Sequence, residues 1–106
     1  MTENTFYGAI TGLTGRFRGK AYPMIAGETV SIGSTDGDDI RISAKAEQSL
    51  CQISYDEELQ EYHVLPTERM AVFLQSGQPL GKCRKYCLPR GTRITVLDRS
   101  HRFELA

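Results

Sequence analysis

Three cysteines and two histidines are the soft and nucleophilic side chains of this 106-residue chain. Cys83 and Cys87 lie four positions apart, a spacing that invites a disulfide or a metal site. If 83–87 is a strand, the two Cα atoms stand about 13 Å apart, beyond the ~7 Å that a disulfide can span. Zinc would need further ligands, and His63 and His101 stand alone, outside any CxxC or HxxxH spacing. The cysteine count is odd, and the polar start Met1-Thr2-Glu3-Asn4 lacks the pattern of a secretory signal. Free thiols in a reducing, cytoplasmic setting are the expectation, with no metal and no cofactor.

The oxygen-bearing residues give no stronger catalytic signal. Ser, His and Asp are all present, but no nucleophile elbow or other local signature places them together, so no catalytic residue is assigned and a non-enzyme is expected. Gly33-Ser34-Thr35-Asp36-Gly37 has the glycines of a phosphate-cradling loop but not the Lys-Ser/Thr pair that completes one. Asp36-Gly37-Asp38-Asp39 lacks the ligand spacing of a calcium loop and reads as a solvated turn.

Charge is more informative than catalysis. Thirteen basic and thirteen acidic residues give a net charge of zero, which removes the electrostatic basis for a nucleic-acid partner. The total hides a split: residues 1–81 carry six basic and eleven acidic groups, and residues 82–106 carry seven and two. The basic tract Lys82-Cys83-Arg84-Lys85-Tyr86 dominates the second part. On a strand, Lys82, Arg84 and Tyr86 would share one face, either a partner patch or a charged edge that discourages strand pairing. No run approaches the ~20 apolar residues of a membrane-spanning helix, so membrane insertion is not expected.

The elements that must hold these residues are strands. An apolar fraction of 40% and a charged fraction of 25% suit a globular fold and are too apolar for disorder. Val30 and Ile32 alternate with Thr29 and Ser31, Cys51, Ile53 and Tyr55 with Gln52 and Ser54, and Ile94 and Val96 with Arg93 and Thr95. This is the period of half-buried strands. Dense glycine and proline punctuation keeps each run short. The best helical candidate, Ser43–Ser49, is too short to stand alone. The pattern predicts a single all-β domain over 1–106, a two-sheet sandwich with strands near 5–13, 19–24, 28–33, 39–42, 50–55, 61–65, 71–74, 78–80, 83–87, 92–97 and 102–105. Between Tyr55 and Tyr62, four acids (Asp56, Glu57, Glu58, Glu61) predict a hairpin tip that faces solvent.

Several segments in order resemble the forkhead-associated (FHA) domain, over roughly Gly8 to Leu105. Gly12-Leu13-Thr14-Gly15 with Tyr22-Pro23-Met24 is similar to that family's first hairpin. Glu28-Thr29-Val30-Ser31-Ile32-Gly33 resembles the strand entering its IGR motif, and Asp38-Asp39-Ile40-Arg41-Ile42 its NDI segment. Cys51-Gln52-Ile53-Ser54-Tyr55 resembles the strand after SRxH. Leu88-Pro89-Arg90-Gly91-Thr92-Arg93-Ile94 and Phe103-Glu104-Leu105 resemble the last two strands. The resemblance implies an eleven-stranded sandwich of the SMAD/FHA type that reads phosphothreonine peptides through loops at one end.

The residues that read phosphothreonine in that family are replaced here. Ser34 stands at the IGR arginine, and Glu47, Gln48 and Leu50 at the Ser, Arg and His of SRxH. Arg69, Met70 and Ala71 stand where a Ser, Asn and Gly would fix another loop. A phosphate seeks hydroxyl, amide or guanidinium donors, and a carboxylate at position 47 repels it. The resemblance therefore implies a protein–protein interaction module whose recognition does not depend on phosphothreonine. The partner, a protein or peptide, would meet Ser34, Thr35, Lys45, Gln48, Ser49 and Arg69 at the loop end, or the basic face around Lys82, Arg84 and Tyr86. Two alternatives stand beside it: phosphopeptide binding through Lys45, Gln48 and Arg69, and a structural or docking role in a larger assembly.

Overall fold

Alternating side chains pair into two sheets, as the computed structural model shows for residues 6–25 and 27–106. The strands are β1 (Phe6–Gly12), β2 (Ala21–Ile25), β3 (Thr29–Gly33), β4 (Ile40–Arg41), β5 (Ser49–Asp56), β6 (Glu61–Pro66), β7 (Val72–Leu74), β8 (Tyr86–Pro89), β9 (Thr92–Val96) and β10 (Arg102–Leu105). One sheet runs β2-β1-β10-β9-β7 and the other β4-β3-β5-β6-β8. Among the described residues β3 and β4 are the one pair of strands that runs parallel, and Gly12 and Arg18 add an isolated parallel bridge.

The inner faces close on each other. Ile10, Ile94, Val96, Phe103 and Leu105 come from the first sheet, and Ile32, Ile53, Tyr62 and Val64 from the second, all buried. Each fully buried aliphatic side chain contributes about 1.5–3 kcal/mol. Tyr62 is polar at its tip, and its hydroxyl donates to the Ala106 carbonyl at 2.6 Å. Gly8 must lack a side chain for this, because a Cβ there would collide with the Tyr62 hydroxyl. Burial pushes the Tyr62 phenol pKa up from its ordinary value.

Both Leu50 and Cys51 are buried, which simple alternation does not allow. The pairing explains it: Ile32 faces Cys51 but Gly33 faces Ser49, so Leu50 is an extra residue in a bulge. The bulge lies where β5 enters the sheet from the loop end.

Ten strands form among the described residues, one fewer than the sequence predicts. Residues 78–80 contribute only the isolated bridge Phe73–Pro79, because the turn that the Gly77 amide closes on the Leu74 carbonyl ends the pairing on that side. The strand expected at 83–87 begins instead at Tyr86. Cys83 has φ +63° and donates its amide to the Pro66 carbonyl at 2.8 Å, which turns the chain before it can extend. Lys82, Arg84 and Tyr86 therefore do not form one strand face. Cys51 is a buried free thiol, and Cys83 and Cys87 are free and exposed. Residues 43–48 are an irregular connection and not a helix. No helix among the described residues is long and apolar enough to cross a membrane.

Candidate functional site

The connections after β1, β3, β4, β6 and β9 gather at one end of the sandwich, opposite the β5–β6 tip. Short contacts tie them together: Thr14 Oγ1 donates to the Ser100 carbonyl at 2.8 Å, and the Thr67 amide donates to Leu50 at 2.9 Å. The Leu97 amide donates to the Ala71 carbonyl at 2.7 Å.

At the centre of this end lies a carboxylate. Asp38 is 8% exposed, so it is a buried carboxylate and not the solvated turn residue that its sequence neighbours predict. Its Oδ2 accepts both the Thr35 amide at 3.0 Å and the Thr35 hydroxyl at 2.7 Å. Its Oδ1 accepts the Ser49 hydroxyl at 2.5 Å. Gly33 makes room, since a Cβ there would collide with the Asp38 carboxylate and the Ser49 Cα. Burial pushes the Asp38 pKa upward, but the hydrogen bonds from Ser49 and Thr35 outweigh it and hold the group below its ordinary 3.8. Two hydroxyls and an amide, the donors a phosphate would want, thus serve an internal anion.

Ser34 is likewise turned inward and buried. Its hydroxyl donates to the Ala46 carbonyl at 2.6 Å and accepts the Gln48 amide at 3.0 Å, bracing the 34–39 loop against the 42–48 connection. Asp39 accepts the Ser31 amide at 2.9 Å. Asp36 stays exposed and meets Arg41 at 2.6 Å.

Beside this network is an open cleft of about 490 Å³, whose lining includes Ser34, Arg41, Ser43, Lys45 and Glu47. Arg16, from the β1–β2 connection, also lines it, and its Nη2 donates to the Arg41 carbonyl at 2.7 Å. No sequence motif marks Arg16. Nothing local in the sequence brings 16 beside 41; only the sandwich closure does. The cleft is net basic, with Glu47 opposing three cations.

The predicted loop-end residues thus divide. Ser34, Thr35, Gln48 and Ser49 meet in the internal network, and Lys45 lines the adjoining cleft. Arg69 lines a different, shallower hollow with Met70, Leu80 and Lys82, so it does not converge with Lys45. Among the basic-face residues, Lys82 lies 3.9 Å from Glu68, Arg84 is exposed, and the Tyr86 hydroxyl accepts the Gly81 amide at 2.7 Å.

The histidines are held by structure. The His101 ring lies 3.1 Å from the Val96 carbonyl and stacks edge-on against Phe17. His63 lies on the opposite face of β6 from the buried Tyr62 and Val64 and is half-buried, with Nε2 3.4 Å from Asp56 Oδ2. Among the described residues, no group of three or more His, Cys, Asp or Glu side chains is placed to hold a metal ion.

Two antiparallel-rich five-stranded sheets, with β3 and β4 pairing in parallel and the loops collected at one end, define the FHA fold. Solved structures agree. The MEK1 FHA domain superimposes with a TM-score of 0.74 at 14% identity, covering 92% of this chain and 86% of that one. An FHA domain of an Arabidopsis thaliana hypothetical protein gives 0.73 at 17% identity, covering 99% and 89%. The yeast Dun1 FHA domain, solved in complex with a doubly phosphorylated peptide derived from Rad53, gives 0.69 at 18% identity, covering 98% and 76%. No family model matches the sequence, and no curated protein matches it.

Proposed function

We propose that this chain is a non-enzymatic protein–protein interaction module on an FHA scaffold, with recognition at the loop end that does not depend on phosphothreonine. The observation that carries this reading is the Asp38 network. Thr35 and Ser49 spend their donors on a carboxylate of their own chain, and a second anion would have to displace it against like-charge repulsion. The partner surface is the rim around that network: Thr35, Lys45, Gln48 and the exposed 43–47 segment. A rigid sandwich holds such loops while tolerating change in their sequence, so the fold leaves the ligand open.

A second reading keeps an anionic group on the partner, and the cleft lined by Arg16, Arg41 and Lys45 favours it. Two of its cations already have internal work: Arg41 holds Asp36 and Arg16 holds the Arg41 carbonyl. Exposed pairs of this kind are weak and exchange readily, so the cleft remains open to a competing anion.

Calorimetry with a degenerate phosphothreonine peptide library and its unphosphorylated counterpart separates the two. Equal or absent heats for both libraries support the first reading. A low-micromolar preference for the phosphorylated library overturns it, and loss of that preference in Lys45→Glu would assign it to the cleft.

A further inference from the structure

Two surface regions of this chain carry opposite charge, an acidic hairpin tip and a cleft that carries arginines. At the β5–β6 tip, Asp56 Oδ1 accepts the amides of Glu58 at 2.9 Å and Leu59 at 3.1 Å, fixing the turn. The turn presents Leu59, 58% exposed, beside the exposed Glu57 and Glu58. Among the described residues, no cation pairs with either glutamate. On the other sheet, alternation buries Ile94, Val96 and Phe103 and turns Arg93, Thr95 and Arg102 outward. There a cleft of about 480 Å³ is lined by Leu13, Thr14, Arg93, Ile94 and Arg102 among others. Arg93 is shared with Glu104 at 3.5 Å, while no carboxylate among the described residues pairs with Arg102.

We propose that the tip of one copy docks in this arginine cleft of a second copy, with Leu59 against the half-buried Leu13 and the two glutamates facing Arg93 and Arg102. The cleft has room for a leucine side chain, and the half-buried Leu13 lines it beside Arg93 and Arg102. A second copy is the favoured occupant because both halves of the match lie on one chain. The net charge of zero also leaves no overall repulsion between copies. The contact joins unlike patches, so each added copy presents another free tip and another free cleft, and association propagates. One hairpin tip covers less surface than a stable dimer needs, so the association is weak and concentration-dependent.

Sedimentation velocity on the full chain, over a concentration series at low and at molar salt, provides the test. The average mass should rise with concentration at low salt and fall to that of the monomer at high salt. Glu57→Lys with Glu58→Lys should abolish association, and so should Arg102→Glu together with Arg93→Glu. Leu59→Ala should weaken it about tenfold. All five positions are exposed, and circular dichroism with melting curves establishes that each variant is folded. The decisive sample mixes the tip-reversed and cleft-reversed proteins, each monomeric alone. The basic tip of one then meets the acidic cleft of the other, and a complex should reappear. A wild-type protein that stays monomeric at every concentration in low salt overturns the proposal. So does association that survives either reversal, or a mixture that fails to re-associate.

Discussion

Thr35 gives both its amide and its hydroxyl to one carboxylate oxygen of Asp38, at 3.0 and 2.7 Å. The pair closes the 34–38 turn, and Ser49 fastens the same carboxylate to the start of β5. Breaking this hub should loosen two loops together. Asp38→Ala leaves the Ser49 and Thr35 donors without an acceptor and is expected to cost about 1–3 kcal/mol in urea unfolding. Ser49→Ala should cost less, since Thr35 still holds the carboxylate.

The same hub makes stability depend on pH. The folded-state pKa of Asp38 lies below its ordinary 3.8. Its contribution is therefore fully present above that value and is lost as pH falls through the lower folded-state pKa. Unfolding midpoints of the wild type should drop over this acid range more steeply than those of Asp38→Asn, whose residue does not titrate. Parallel curves would assign the acid sensitivity to other carboxylates.

The strands were largely legible in the sequence because a half-buried strand writes its burial pattern with period two. Ile94 and Val96 behave as that period requires, and residues 57–60 of the acidic tip are exposed as its charges demand. The failures have local physical causes. Leu50 breaks the period because of a bulge, and the tract at 82–85 breaks it because Cys83 adopts a left-handed backbone. The site was less legible. Asp38 sits among three acids that look alike in sequence, and only the glycine at 33 lets this one turn inward. The residue sequence does hold a signal, with hydroxyls at 35 and 49 and a glycine at 33, but its meaning depends on β3 and β5 being paired.

Cys83 offers a test of that turn. A left-handed conformation costs a residue with a Cβ roughly 1–2 kcal/mol, a cost that glycine avoids. The side chain is exposed, so Cys83→Gly should raise stability by up to about 1 kcal/mol once the greater freedom of glycine in the unfolded chain is counted. Denaturant unfolding measures it. A loss of stability would mean that this side chain has a contact that holds the turn.

Thiol reactivity should separate the three cysteines. Burial pushes the Cys51 thiol up to about 12, so it is neutral and shielded in the folded protein. A thiol-reactive dye should label two sites quickly, Cys83 and Cys87, and the third only on unfolding. Three equally fast sites would show that the core opens at β5.

Tyr62 ties the end of the chain to the core through its 2.6 Å bond to Ala106. Tyr62→Phe removes that donor and keeps the ring, so a loss of about 0.5–1.5 kcal/mol in thermal or urea unfolding is expected. Gly8→Ala should cost more, because its methyl group would have to displace the phenol.

The capture of loop-end donors by Asp38 is tested most directly by the amide resonance of Thr35. In an NMR titration of the wild-type protein with a degenerate phosphothreonine peptide library, that amide should stay where it is, still bonded to Asp38, even as excess peptide is added. A saturable shift of the Thr35 amide with the phosphorylated library, absent with the unphosphorylated one, would mean that phosphate takes the donors from the carboxylate, and would contradict recognition independent of phosphothreonine.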